Sequence, residues 1–411
     1  MRRYVLAATF ATLLVLGAAA GTSMAQTVVQ YANWQFLEAG RSDLLRGFIA
    51  EFEAANPDIR IEPIEVPYSV YTERMTNVLA SGAGPDVLFT QEFTLVPWMK
   101  AGYLAELDEL LDLSRYSFLP QQSYAQSDGK TYAVLYEGFP YGGLIINTKL
   151  FEQAGIDIPR TPEEFIEAAV ALTKPPHQWG LAHPFDFSNP SYIMQGGMIV
   201  IKGFGGRIID ENGNPAVNSP EFIEGVKYLK RLYDSGGTPV GTDFRLQRDW
   251  FTQGLVAMVL DGSYWPLIVR AQNPELYKAI DVYNVPFPKL DSPYETNWYV
   301  INANSKNKKA AARFVEYLMS RKVQERWALL SGMGTGEAWT LDLVAERLPW
   351  FEAYARATPY GVVRIYKDYE EQTPQVRRMV ADAIAEVMTE QATAEEAMND
   401  LQEALVALKG R

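Results

Sequence analysis

Leu79-Ala-Ser-Gly-Ala-Gly-Pro-Asp-Val-Leu-Phe-Thr90 ends one helical segment and opens one apolar strand. Gly82, Gly84 and Pro85 stop the helix read over 68–80, and a short buried strand is expected at 87–89. Asp86 reads as structural, its carboxylate capping the Gly-Pro turn. Upstream, Ile59, Ile61, Ile64 and Val66 mark an alternating strand. Before it, Ser42 is expected to cap a helix with Leu44, Leu45, Phe48, Ile49 and Phe52 on one face, stopping near Asn56-Pro57. Residues 27–31 alternate as a first strand that ends at Ala32-Asn33-Trp34. Strands and helices therefore alternate from the start, which implies an open α/β sheet with a cleft at its strand ends.

The front of the chain reads as an export signal. Met1-Arg2-Arg3 is followed by an apolar run over 4–20 and a small-x-small site, Ser23-Met24-Ala25, before Gln26. Cleavage there gives a mature chain free in a periplasm-like space by the general secretory route. Without cysteine there is no lipid attachment, disulfide or thiolate metal site. His177 and His183 stand beside proline-rich sequence and do not suggest a metal site, so no metal and no cofactor is expected. The net charge of −13 argues against nucleic acid as a partner. Two domains are expected, because the mature length exceeds what one core usually serves.

Further along, short helices are expected over 95–101 and 107–113. Asp128-Gly129-Lys130 is a turn, and Gly138-Phe-Pro-Tyr-Gly-Gly143 separates two apolar strands. That Gly/Pro-rich segment is the first candidate crossing between domains. Thr161-Pro162-Glu163-Glu164 and Ser219-Pro220-Glu221 are helix starts. Asp210-Glu-Asn-Gly-Asn214 is read as a hairpin turn; it lacks the distant glutamate of a calcium loop. A strand at 256–260 runs to Asp261-Gly-Ser-Tyr-Trp265, another covers 297–301, and the tail from Thr373 is two helices, the second capped by Thr393 with Glu396.

An ordered set of segments makes the chain resemble a known family. They include Phe52-Glu-Ala-Ala-Asn-Pro-Asp-Ile59, Gly84-Pro85-Asp86-Val87, Asp128-Gly-Lys-Thr-Tyr-Ala133 and Ile146-Asn-Thr-Lys-Leu-Phe151. Phe251-Thr-Gln-Gly254, Gly262-Ser-Tyr-Trp265 and Ser305-Lys-Asn-Lys308 come after them in the same order. Over nearly the whole mature chain it is similar to the extracellular solute-binding proteins of sugar ABC importers, the group that includes maltose-binding protein. The resemblance implies a two-lobed α/β periplasmic binding fold with a multi-strand hinge and an interlobe ligand cleft. Crossings would lie near 138–142, 295–297 and 334–339. Residues 26–138 plus 298–338 would form the N-terminal lobe, and 139–297 plus 339–411 the C-terminal lobe. Two departures stand out: Asn297-Trp298-Tyr299 replaces a small, glycine-rich stretch, and Leu135 stands where relatives often carry proline.

A sugar offers apolar C–H faces and a rim of hydroxyls, so its pocket needs aromatic platforms with a few fixed donors and acceptors. The family-like positions for these are Trp34, Gln91, Glu92, Glu137, Tyr264, Trp265, Asn297 and Trp298. Asp186 and Phe187 lie where relatives often supply selectivity, and His183 reads as structural. Arg364, if it faces inward, would bring an anionic ligand such as a uronate or sulfonate into consideration. The expected function is capture of a mono- or oligosaccharide for an ABC transporter permease, by a monomer without catalytic activity. The alternatives are a polyol, glycerol phosphate or acidic-sugar binder, a sensory role, and an exported glycosidase. For the last, no carboxylate pair stands at a distinctive spacing, and no G-x-S-x-G, H-E-x-x-H or Walker sequence occurs.

Overall fold

The first two alternating segments pair in parallel as β1 (Thr27–Ala32) and β2 (Ile59–Ile64), with Thr27 opposite Ile59. The computed structural model describes residues 26–38, 41–187 and 192–409; the expected export signal lies outside them. β3 (Val87–Gln91) joins the other side of β1, so the βαβαβ order is realised. Leu45, Phe48, Ile49 and Phe52 of the Arg41–Ala55 helix and Tyr71, Met75 and Leu79 of the Tyr68–Ala80 helix bury their apolar faces. Ser42 proves to lie inside its helix, its N–H donating to the Glu38 carbonyl, and does not cap it.

Asp86 does more than cap its own turn. Its carboxylate accepts from the Gln30 N–H (2.8 Å) and the Ser305 hydroxyl (2.5 Å), tying the start of β3 to β1 and to a segment more than 200 residues away. The stretch 107–113 is a turn, not a helix. Asp108 there accepts from the N–H of Thr131, which holds it to the small hairpin of β4 (Gln126–Ser127) and β5 (Lys130–Thr131).

β6 (Ala133–Asn147) organises the molecule. Gly138–Gly143 does not interrupt it: one 15-residue strand, buried throughout, runs through the segment expected to separate two strands. At about 3.3 Å per residue it spans about 50 Å. The glycines serve close approach. A Cβ at Gly138 would stand 2.7 Å from the Tyr294 hydroxyl, and one at Gly143 2.2 Å from the Tyr354 ring. Gly142, at φ +103°, allows the register shift between Tyr141 and Gly143.

Along its length β6 changes partners. Residues 133–140 pair antiparallel with β10 (Ser292–Ile301), which pairs in turn with β3. The far end pairs with β8 (Val256–Gly262) and β9 (Ile280–Asn284); β7 (Trp179–Ala182) lies parallel beyond β8, and β11 (Gly361–Val363) beside the start of β10. The path is β2-β1-β3-β10-β6-β8-β7. A third segment returns along β6, where the N–H groups of Gly138 and Gly336 donate to the carbonyls of Gly334 and Tyr136. Elsewhere the local signals hold: Thr161 and Ser219 accept from the N–H three residues on, Thr393 and Glu396 cap reciprocally, and 210–214 is a turn closed by the Asp210 carboxylate.

Candidate functional site

Polar side chains gather where β1 and β3 end and where β6 and β10 pass between the two halves of the sheet. Asn33 caps a single 3-10 turn after β1, and that turn delivers Gln35. β3 runs directly into the Glu92–Lys100 helix, so Gln91 and Glu92 straddle the junction. Antiparallel pairing sets Asn297 opposite both Gln91 and Glu137. The result is a continuous string. The Tyr68 hydroxyl donates to Gln91 Oε1 (2.9 Å), Gln91 Nε2 to Glu295 Oε1 (3.0 Å), and Asn297 Nδ2 to Glu137 Oε1 (2.8 Å) and more distantly to Glu295 (3.3 Å). Glu137 also accepts from Gln35 (3.1 Å) and from the Trp327 indole (2.7 Å).

A buried ion cluster joins the string. Arg364, just past β11, donates through Nε to Glu92 and through Nη2 to Glu295 (3.1 Å), while Tyr141 donates to the same Glu295 oxygen (2.7 Å). The N–H of Thr296 donates to the second oxygen of Glu92 (3.1 Å). Burial works against the charge on Arg364, but Glu92 and Glu295 outweigh it and hold its pKa well above the ordinary arginine value. Glu137 is different: burial is the largest influence and pushes its carboxyl up to about 7, against the pull of Arg41 and the Trp327 and Asn297 donors.

The facing wall is formed by the end of β8 and the turn and helix behind it. Arg248 forks onto Asp261 (2.7 and 3.0 Å), which also accepts from Tyr264 (2.9 Å) and the Gly262 N–H. The guanidinium lies over the Tyr264 and Trp265 rings. From the opposite half, Arg41 reaches over Tyr264 at 5.5 Å, so groups from both halves meet. Among the described residues, the Trp265 indole N–H and the Asn297 carbonyl oxygen are buried without a partner. Such groups are costly unless something fills them.

Of the residues nominated from sequence, the structure brings Gln91, Glu92, Glu137, Asn297 and Arg364 into one network and sets Tyr264 and Trp265 on the wall. Trp34 packs among Tyr68, Tyr71 and Phe89, and Tyr68 in turn donates to Gln91. Trp298 is fully enclosed, its N–H donating to the Thr296 hydroxyl (3.0 Å). Phe187 packs with Phe185 and Tyr233 in an aromatic group of its own, and Asp186 stands next to it in sequence. Arg364 faces inward, yet its Nε and Nη2 donors are engaged by carboxylates. Sequence reading missed Gln35, Arg41, Tyr68, Tyr141, Arg248, Glu295 and Trp327. Glu295 had a signal, lying two residues before Asn297 on one strand; Arg248 and Trp327 had none.

The comparisons fit this geometry. Residues 38–325 match the family model for bacterial extracellular solute-binding proteins. The chain belongs to that family. Among solved structures, the GacH receptor of Streptomyces glaucescens, studied unliganded and with acarbose, superposes with a TM-score of 0.82 at 22% identity, over 94% of this chain and 99% of that one. A Thermotoga lettingae solute-binding protein bound to tagatose gives 0.82 at 20% identity, over 93% of this chain and 100% of that one. The galactooligosaccharide-binding protein of Bacillus subtilis is 24% identical over 302 residues, 69% of this chain and 67% of its own length. This solute-binding protein thus has the two-lobed fold of its structural neighbours. Among its described residues no helix is long and apolar enough to cross a membrane.

Proposed function

We propose that this protein is the periplasmic binding subunit of an ABC importer and captures a carbohydrate between its lobes for delivery to the membrane permease. The observation that carries this reading is the meeting, between the two halves, of an amide-and-carboxylate string (Gln35, Gln91, Glu137, Glu295, Asn297) with tyrosine and tryptophan faces (Tyr68, Tyr141, Tyr264, Trp265). Amides and carboxylates suit a rim of hydroxyls, and rings suit C–H faces. The named solutes of the neighbours, acarbose and tagatose, support the same class. Lobe boundaries near 138, 297 and 338 belong to this reading, supported by the partner exchange of β6 and β10. So do action as a monomer without a lipid anchor and closure by hinge rotation, the closed form being what the permease recognises.

An anionic solute loses its main support, because Arg364 is already engaged by Glu92 and Glu295. Nor does the site argue for hydrolysis: Glu92 and Glu295 are tied to Arg364, and Glu137 is held by three neutral donors. The test is a thermal-shift screen of the mature chain against neutral, amino and acidic sugars and polyols, followed by calorimetry. A saturable sugar-induced rise in the melting midpoint, with the sugar recovered unchanged, is expected. Hydrolysis on prolonged incubation, or a response confined to non-sugars, refutes the reading.

A further inference from the structure

The carboxyls around the cleft are not partnered alike. Asp261 is matched by Arg248. Glu92 and Glu295 both hold Arg364, and Arg377, whose guanidinium lies 5.8 Å over the Phe93 ring with its Nη1 buried and unpartnered, is a second cation acted on by Glu92. Arg41, however, gives its hydrogen bond to Glu38 (2.6 Å). Glu137 is left with neutral donors alone: Gln35, Asn297 and Trp327. The other titratable groups around it are Tyr31, Tyr136 and Tyr299, all held neutral by burial, and Glu295, which repels it. Glu137 is thus the cleft carboxyl that no cation hydrogen-bonds, Arg41 acting on it only without a hydrogen bond.

The neighbouring hydrogen-bond capacity has the same sense. Glu137 Oε2 accepts only from Trp327, and the Asn297 carbonyl oxygen, in a side chain 2% exposed, accepts from nothing among the described residues. Asn297 Oδ1 therefore lacks a donor, and Glu137 Oε2, with one, has capacity for another on a carboxyl that no cation hydrogen-bonds. A hydroxyl supplies a single donor and no charge. An ammonium supplies three donors and a positive charge.

Resting on the carbohydrate reading, we propose that the solute carries a positively charged amine held at Glu137 and Asn297, so that an amino sugar or amine-bearing oligosaccharide is taken in preference to its hydroxyl twin. Calorimetry of the mature chain with matched pairs tests it: glucosamine against glucose, and the β-1,4 glucosamine dimer against cellobiose, with glucuronate as the anionic control. At about pH 7.5 the amine should bind at least about tenfold tighter, and Glu137→Gln should remove that advantage. Wild-type protein gives a second reading that does not depend on the variant's folding. At about pH 6.5 the amine should expel a proton on binding, seen by comparing buffers of different ionisation enthalpy, whereas the hydroxyl twin should not. Equal or tighter binding of the hydroxyl twin or glucuronate overturns the inference and leaves the carbohydrate reading intact. An amine preference that survives Glu137→Gln, or amine binding without proton release, overturns the assignment to Glu137. Binding of simple polyamines but no saccharide removes the carbohydrate reading and keeps the amine; binding of neither overturns both.

Discussion

Replacing Arg364 by Met would remove the cation between Glu92 and Glu295 while keeping most of the side chain's volume. Glu92 is fully buried and would retain only Thr296 as partner; Glu295 would keep Gln91, Tyr141 and Asn297. Breaking a buried pair by deleting one partner costs about 3–5 kcal/mol, because an uncompensated charge stays in the interior. The better-hydrogen-bonded Glu295 puts the expectation at the lower end, about 3 kcal/mol, read from equilibrium urea denaturation at pH 7. The diagnostic is the double variant. Glu92→Gln on the Arg364→Met background removes the orphaned charge, while the glutamine oxygen still accepts from Thr296, so about half the loss or more should return. A single variant within about 1 kcal/mol of wild type, or a double variant no better than the single, would refute the buried cluster.

Three more perturbations have outcomes set by the geometry. A Cβ at Gly336 would lie 1.9 Å from the Leu135 carbonyl oxygen, a backbone atom, so Gly336→Ala should cost about 1–3 kcal/mol or more in chemical denaturation and displace the 334–338 return along β6. The Glu137 carboxyl is raised to about 7 from an unfolded value of 4.5, so the folded state holds a proton that the unfolded state loses. Its effect is nil below about pH 4.5 and grows unfavourable as pH rises through 7, so wild type should lose up to about 3 kcal/mol relative to Glu137→Gln between pH 4.5 and 8. His183 is opposite in sense: burial lowers it to about 3, so its unfolded form protonates first, and stability should fall as pH drops below 6.5, a dependence His183→Gln should flatten in acid denaturation curves.

Much of the fold was legible because its signals are local. Residues 59–66 alternate, Gly82–Pro85 punctuate, and Thr161, Ser219 and Thr393 cap by contacts three residues away. The segment 138–143 was misread because glycine is ambiguous in one dimension. In a turn it supplies positive φ; here Gly138 and Gly143 make room for Tyr294 and Tyr354, residues more than 150 positions distant. Residues 107–113 failed for the same reason, since Asp108 is bound to a hairpin outside its own periodicity. At the site, strand-end residues such as Gln91 and Asn297 could be nominated from their place in the topology. Arg364 could be named but not its partners, and it was the partners that changed its chemical meaning from anion receptor to counterion.

That distinction bears on how a cleft rich in charge can serve a neutral or cationic solute. The buried cleft carboxylates Glu92, Glu295 and Asp261 are each tied to an arginine and held in one position before any solute arrives. Fixed acceptors lose little freedom on binding, which favours affinity without demanding a charged ligand. Glu137 stands apart because its three partners come from separate parts of the chain: Gln35 after β1, Asn297 on β10, and Trp327 on the Arg321–Ser331 helix that leads into the third segment along β6. Gln35, Glu137 and Trp327 fall within one half and Asn297 at its border, so rotation of the two halves about β6 and β10 would carry those bonds along intact. A solute group held at Glu137 would stabilise one arrangement of the halves only if the same solute also touched the Tyr264 and Trp265 wall, which Arg41 approaches from the opposite half. Differential stabilisation of one arrangement is what a ligand needs to shift a two-state equilibrium toward closure. Occupancy is therefore reported to the hinge by a solute that spans Glu137 and the facing wall, not by one held at Glu137 alone.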